Sequence, residues 1–219
     1  MALIAVALAA AYALHPLGVQ HDGESFVRDG EQWLALQVTP ARSALVTTNA
    51  RVQRVRDVLV DDDGTRSAHD VSSRVHDTQM LLRGPGLHSG PVATAWTGVA
   101  PAPLSSGPLL LKLRGATYRL QLDCIANAPT CSVVLQGGAG RQVLFELPAG
   151  RYDDGTVMLG DDATPSLLFA GDLDHDGRLD LILDTTDHYN VSEPTLYLSS
   201  GAEPHALVRK VASHSSTGC

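Results

Sequence analysis

Beyond residue 108 the apolar side chains of this chain recur at every second position, and that period decides the class of fold. In "LLLKLRGATYRLQLDC", Leu109, Leu111 and Leu113 fall on one side, and Tyr118, Leu120, Leu122 and Cys124 share the next face, with Arg119, Gln121 and Asp123 opposite. A period of two is the signature of a half-buried strand, and Gly115 punctuates the two runs into a hairpin. "CSVVLQGGAGRQVLFEL" repeats the arrangement: Cys131, Val133 and Leu135 alternate, "QGGAG" turns the chain, and Val143, Phe145 and Leu147 return, with Pro148 expected to end the run. This register puts Cys124 and Cys131 on inward faces of neighbouring strands. A disulfide between them is expected, as in a chain that matures in an oxidising compartment. Closing so short a loop stabilises by about 2–3 kcal/mol in the chain-entropy description.

The first half is less regular. "EQWLALQV" reads as a strand with Leu34, Leu36 and Val38 on one side, and "TQMLLRG" and "GPVATAW" read as strands separated by "GPGLHSG". In "RVQRVRDVLV" the spacing of Val52, Val55 and Val58 leaves both an Arg-rich exposed strand and a short helix open. Residues 97–108, "TGVAPAPLSSGP", have the composition of a linker or long loop. No strong helical period appears after the first residues. The expectation is an all-β protein of mainly antiparallel strands and hairpins, with an N-terminal β region (14–100) and a C-terminal β region (101–219) that can form one domain. With aromatic residues at 5 %, its core must be built mostly from Leu, Val and Ala.

Residues 2–14, "ALIAVALAAAYAL", carry no charge. A membrane-spanning helix needs roughly 20 apolar residues; this run has the length of a signal-peptide core, and "AYA" supplies a cleavage site after Ala13. Residues 1–13 are therefore expected to be a signal peptide, with the mature chain periplasmic or secreted and without a membrane anchor. The net charge of −8 and the lack of any basic run argue against a nucleic acid or an anionic membrane as partner. The partner of Cys219 cannot be assigned from sequence.

One stretch carries recognisable chemistry. "FAGDLDHDGRLDLIL" places Asp172, Asp174, Asp176 and Asp180 at relative positions 1, 3, 5 and 9, with Gly177 at position 6. A hard dication takes about six to eight oxygens. Alternate residues of a tight turn aim their side chains the same way, so Asp172, Asp174 and Asp176 are expected to converge. Gly177 permits the sharp turn, the carbonyl of Arg178 follows, and Asp180 closes the shell with both oxygens. Ca2+ suits this oxygen cage better than Mg2+, which keeps its waters. The side chains of His175 and Arg178 are expected to point outward. Leu183 stands where an EF-hand loop has Glu, and the flanks alternate as strands, so the ion would clip two strands at their shared turn.

The D-x-D-x-D-G-x-x-D loop resembles the calcium loops of FG-GAP or VCBS-type repeats, and less closely those of dockerins and thrombospondin repeats. The tail from Asp184 to Cys219 resembles those of uncharacterised exported bacterial proteins carrying one such loop. The likeness spans about fifteen residues and occurs once, so it does not imply a complete propeller. It carries over Asp172, Asp174, Asp176, Arg178 through its carbonyl, and Asp180 as metal ligands, with no activity attached.

Other polar clusters are weaker signals. Asp184, Asp187, His188 and Asn190 line a second polar site beside the ion, supply it with a distal ligand, or form a polar turn between two strands. "DDDG" from Asp61 and "DDG" from Asp153 lack the alternate spacing of a cage. H-E-x-x-H, G-x-S-x-G, P-loop and dinucleotide fingerprints are absent, and no catalytic residue is assigned. The expected protein is an exported, calcium-binding β-protein, more in keeping with a non-enzymatic role. A periplasmic hydrolase with structural calcium and an adhesion or interaction module are the other two readings. The sequence names no protein or glycan partner.

Overall fold

The computed structural model describes residues 11–96, 99–126, 128–138 and 140–218. Residues 1–10, on which most of the expected signal peptide falls, and Cys219 lie outside the described residues. Eight strands come from the first half: β1 (Ala13–Pro16), β2 (Gly18–Gln20), β3 (Gln32–Val38), β4 (Ser43–Asn49), β5 (Arg51–Val55), β6 (Ala68–Ser72), β7 (Thr78–Arg83) and β8 (Gly90–Trp96). Next come β9 (Ala102–Pro103), β10 (Leu109–Leu113), β11 (Ala116–Cys124), β12 (Thr130–Gly137), β13 (Gly140–Arg151) and β14 (Val157–Leu159). The chain closes with β15 (Ser166–Asp172), β16 (Asp180–Asp184), β17 (Val191–Ser192), β18 (Pro194–Leu198), β19 (Arg209–Ser213) and β20 (Ser216–Thr217). The protein is all-β, with no α-helix among the described residues and every strand ladder antiparallel.

Nine strands form the central sheet in the order β1-β7-β3-β4-β8-β15-β16-β18-β19, and β9 pairs with β15 as its tenth. The sheet curls until β1 meets β18 and β19, giving a nearly closed barrel. Its interior is filled by Leu14, Leu36, Leu45, Leu82, Phe169, Ile182 and Leu196, among others. Both halves of the chain contribute to this one sheet, joined where Gly171 and Asp172 of β15 pair with Thr94 and Ala93 of β8.

Two smaller sheets cover the barrel from outside. The sheet β2-β6-β5 shields Trp33, Ala35, Val71 and Leu81. This explains why β3 is apolar on both faces: Leu36 and Val38 point into the barrel while Trp33 and Ala35 point out beneath the cover. The five-stranded sheet β10-β11-β12-β13-β14 lays Leu111, Leu113, Leu120, Val133 and Leu135 against the outer faces of β15, β16 and β18, meeting Leu167, Leu181, Leu183 and Tyr197. Each such Leu buried contributes about 1.5–3 kcal/mol relative to exposure. The alternation expected of β10 and β11 is present, with Leu111 buried and Leu110 65 % exposed. Cys124 and Cys131 face each other across β11 and β12, Cα atoms 4.4 Å apart, and are bridged.

Four expectations are revised or resolved. Pro148 does not end β13; it sits where the strand passes from pairing with β12 to pairing with β14, a place that can dispense with its missing N–H. A bulge where Val133 pairs with Phe145 and Val134 with Val143 turns Val143 outward, leaving it 42 % exposed. Residues 99–108 are no free tether: β9 joins the central sheet, and Leu104 is buried in the core with its N–H bonded to the Pro165 carbonyl at 3.0 Å. Residues 97 and 98 of that segment lie outside the described residues. "RVQRV" is a strand, β5, pairing with β6.

Candidate metal centre

The β15–β16 hairpin brings the aspartates together. β15 ends at Asp172 and β16 begins at Asp180, with Gly171 opposite Asp180 as the last rung of the ladder. Between them the chain makes a tight turn containing two left-handed residues, His175 (φ 63°) and Gly177 (φ 84°). Gly177 adopts this conformation without steric cost. For His175 it costs roughly 1–2 kcal/mol, and two contacts of the ring offset that: Nε2 bonds the Pro91 carbonyl at 3.0 Å, and the ring packs on His88 with centroids 4.4 Å apart. His175 is turned away from the carboxylates and onto the β7–β8 loop, not into solvent.

One oxygen each from Asp172, Asp174 and Asp176 lies within 4.8 Å of the other two, a cluster able to hold a metal ion. Burial falls along it: Asp172 is fully buried, Asp174 half-buried and Asp176 exposed. Local N–H groups hold the turn. Gly177 N–H donates to both Asp172 oxygens at 3.2 Å, Asp176 N–H donates to Asp174 Oδ1 at 3.3 Å, and Arg178 N–H donates to Asp176 Oδ1 at 2.8 Å. Asp174 Oδ2 is shut off from solvent without a hydrogen-bond partner. A buried anionic oxygen with no donor costs several kcal/mol unless a positive charge faces it.

Asp180 takes a different part. Its Oδ1 accepts from Ser199 N–H at 2.8 Å and Ser199 Oγ at 3.0 Å; its Oδ2 accepts from Leu173 N–H at 2.7 Å and Asp174 N–H at 3.4 Å. It anchors the turn to the end of β18, where Ser199 Oγ lies 3.0 Å both from Asp180 Oδ1 and from the two Asp176 oxygens and so links it to the cluster of three. Burial pushes its carboxyl up to about 7; the Ser199 N–H opposes that shift, and the nearby charge of Asp174 adds to it.

Two guanidinium groups supply positive charge. Arg114, at the β10–β11 turn, donates to Asp172 Oδ2 at 3.2 Å. The Arg178 side chain, expected to point away, folds back onto Asp176 Oδ2 at 2.9 Å from Nε. Arg114 and Ser199 were not singled out by sequence reasoning. Both are distant along the chain, and no local pattern identifies them.

Asp184 and its neighbours do not join this centre. Asp184 lies at the opposite end of β16, about 13 Å from Asp180 along the strand, and its carboxylate is satisfied by Ser192 Oγ at 3.0 Å and by the N–H groups of Glu193 and Thr186 at 2.8 and 3.2 Å. It is too far away to supply a distal ligand to the Asp172–Asp174–Asp176 cluster.

No family model matches the chain, and no curated protein or solved structure matches it either. No helix among the described residues is long and apolar enough to cross a membrane. The Cys124–Cys131 bridge points to a non-cytoplasmic compartment.

Proposed function

We propose that this chain is an exported calcium-binding β-protein, without catalytic function of its own, in which Ca2+ stabilises the C-terminal strands. The observation carrying the reading is the convergence of Asp172, Asp174 and Asp176, together with a buried oxygen of Asp174 that has no donor. A dication there would neutralise three carboxylates and satisfy that oxygen. Asp172, Asp174 and Asp176 would be its ligands, with the Arg178 carbonyl and water completing the oxygen shell. Asp180, the fifth expected ligand, would act mainly by orienting the turn, because its oxygens already accept three backbone N–H groups. Oxygen-only donors favour calcium.

The turn lies where β8 of the first half, β15 and β16, the end of β18 and the β10–β11 turn meet. An ion bound there would tie the covering sheet to the barrel and the two halves to each other. Native mass spectrometry of the intact chain with added calcium tests the reading: one Ca2+ per chain, lost on Asp172→Asn, is expected. A chain that takes up no calcium at millimolar concentration overturns it.

A further inference from the structure

The polar residues at the far end of β16 line a groove away from the aspartate cluster. An open groove of about 680 Å³ runs between the 185–193 loop and the C-terminal strap that carries β20. Tyr189 stands at its edge, 68 % exposed in a chain with few aromatic residues.

Its ring is held in place. It stacks on His188, centroids 4.7 Å apart and planes 25° apart. His188 in turn is fixed at both nitrogens: Nδ1 accepts the Asn190 N–H at 3.2 Å, so Nε2 carries the hydrogen and faces Asp161 Oδ2 at 3.1 Å. The loop beneath is docked closely onto Gly160 (φ 51°), where an added Cβ would lie 2.0 Å from the Asp187 carbonyl. The N–H of Asp161 donates to that carbonyl at 2.7 Å, and the Tyr189 N–H donates to the Asp161 carbonyl at 2.8 Å. One face of Tyr189 is therefore occupied by His188, and the ring is preorganised yet open to solvent.

The groove's chemistry selects the ligand. No Lys or Arg lines it, and the carboxylate of Asp184 in its wall is already satisfied. The side-chain amide of Asn190 and the hydroxyls of Tyr189 and Ser216 make no hydrogen bond among the described residues. A fixed aromatic face beside unspent neutral donors and acceptors matches a ligand with an apolar face and a hydroxyl rim. A pyranose ring has both, with axial C–H groups on its face and hydroxyls around its edge. We propose that this groove binds a neutral pyranose unit of a glycan, stacked on Tyr189 and oriented by Asn190. Because the contact with His188 preorganises the ring, less ordering cost opposes binding.

The test is saturation-transfer difference NMR and calorimetric titration of the full chain with maltohexaose, xylohexaose and chitohexaose, each at millimolar concentration. Binding of at least one is expected, with the strongest transfer to ring C–H protons. Tyr189→Ala should weaken that binding roughly tenfold, while Tyr189→Phe retains the stacking face and most of the affinity. Asn190→Ala, a second variant outside the barrel, should also weaken it without moving the melting temperature. Failure of all three oligosaccharides to bind overturns the proposal, as does Tyr189→Ala binding as tightly as the parent.

Discussion

Two acidic turns of this protein, residues 57–67 and 172–180, have much the same composition and opposite electrostatics. In the first, every buried carboxylate is paired. Asp61 Oδ2 accepts from the N–H groups of Asp57 and Ser67 at 2.8 and 2.7 Å; Asp57 accepts the Leu59 N–H at 3.0 Å and faces His21 Nδ1 at 2.5 Å. The His21 bond holds the Asp57 carboxyl below its usual range, and the Asp57 and Ser67 N–H groups do the same for Asp61. Consecutive acids at 61–63 cannot converge, and Asp63 reaches solvent. In the second turn the acids alternate and three of them converge. One oxygen is left without a donor, and burial moves Asp180 up instead of down. Spacing, not the number of acids, separates a turn whose buried carboxylates are all paired from one that leaves an oxygen without a donor.

Calcium gives the sharpest way to break this comparison. Chelation should lower the melting temperature of the parent chain. A ligand in hundredfold excess over Kd adds about 2.7 kcal/mol, which for a chain of this size is roughly 5–10 °C, readable by scanning calorimetry. Asp176→Ala should abolish the calcium-dependent part. Asp57→Asn should also lower the melting temperature, since it weakens the contact with His21, but by the same amount with and without calcium. An Asp57 variant whose loss depends on calcium would show that the two turns are not distinct in kind.

Acid sensitivity must be separated from the carboxylates before pH can inform the comparison, and His15 is the group to remove. It is fully buried on β1, packed against the rings of Phe26 and His214, with Nδ1 on the Pro16 carbonyl at 2.6 Å and Nε2 unpartnered. Burial lowers its pKa to about 4; the Pro16 carbonyl opposes this, and the nearby His214 adds to it. His214 itself is lowered by burial, partly offset by Glu24. A lowered histidine is neutral in the fold and charged in the unfolded chain. Its contribution is complete above pH 6.5 and is lost as the pH falls toward 4, by about 2 kcal/mol at pH 5. Urea titrations should show this limb in the parent and its flattening in His15→Phe. A limb unchanged by the substitution would return the acid response to the carboxylates.

How far the sequence exposes this protein depends on how local each feature is. β10 and β11 were legible because one face is covered and the other wet, as Leu111 beside exposed Leu110 and Lys112 shows. β18 is buried along its whole length, so its burial has no period to reveal. Barrel closure depends on partners far apart, such as β8 with β15 and β1 with β7, and nothing in either strand names its mate. The same division runs through the site. Asp172, Asp174 and Asp176 converge because of spacing within one turn. Arg114 arrives from 58 residues away and Ser199 from 19 residues beyond Asp180. That distant serine donates to Asp180, one of the residues assigned to the ion, and no local pattern announces the contact.

Arg114 gives the smallest and most specific test. Its guanidinium lies 3.2 Å from Asp172 Oδ2 and its side chain is 58 % exposed. Solvent screens such a pair, so it contributes at most about 1 kcal/mol. In the proposed calcium form the same oxygen serves the ion, and two cations compete for one carboxylate. Arg114→Gln should tighten calcium binding by up to about fivefold, measured calorimetrically at low salt, and the gain should shrink as added salt screens the parent's pair. Weaker calcium binding in Arg114→Gln would mean that the arginine positions Asp172 for the ion. The covering sheet would then belong to the site, and the contrast with the self-contained turn at 57–67 would widen.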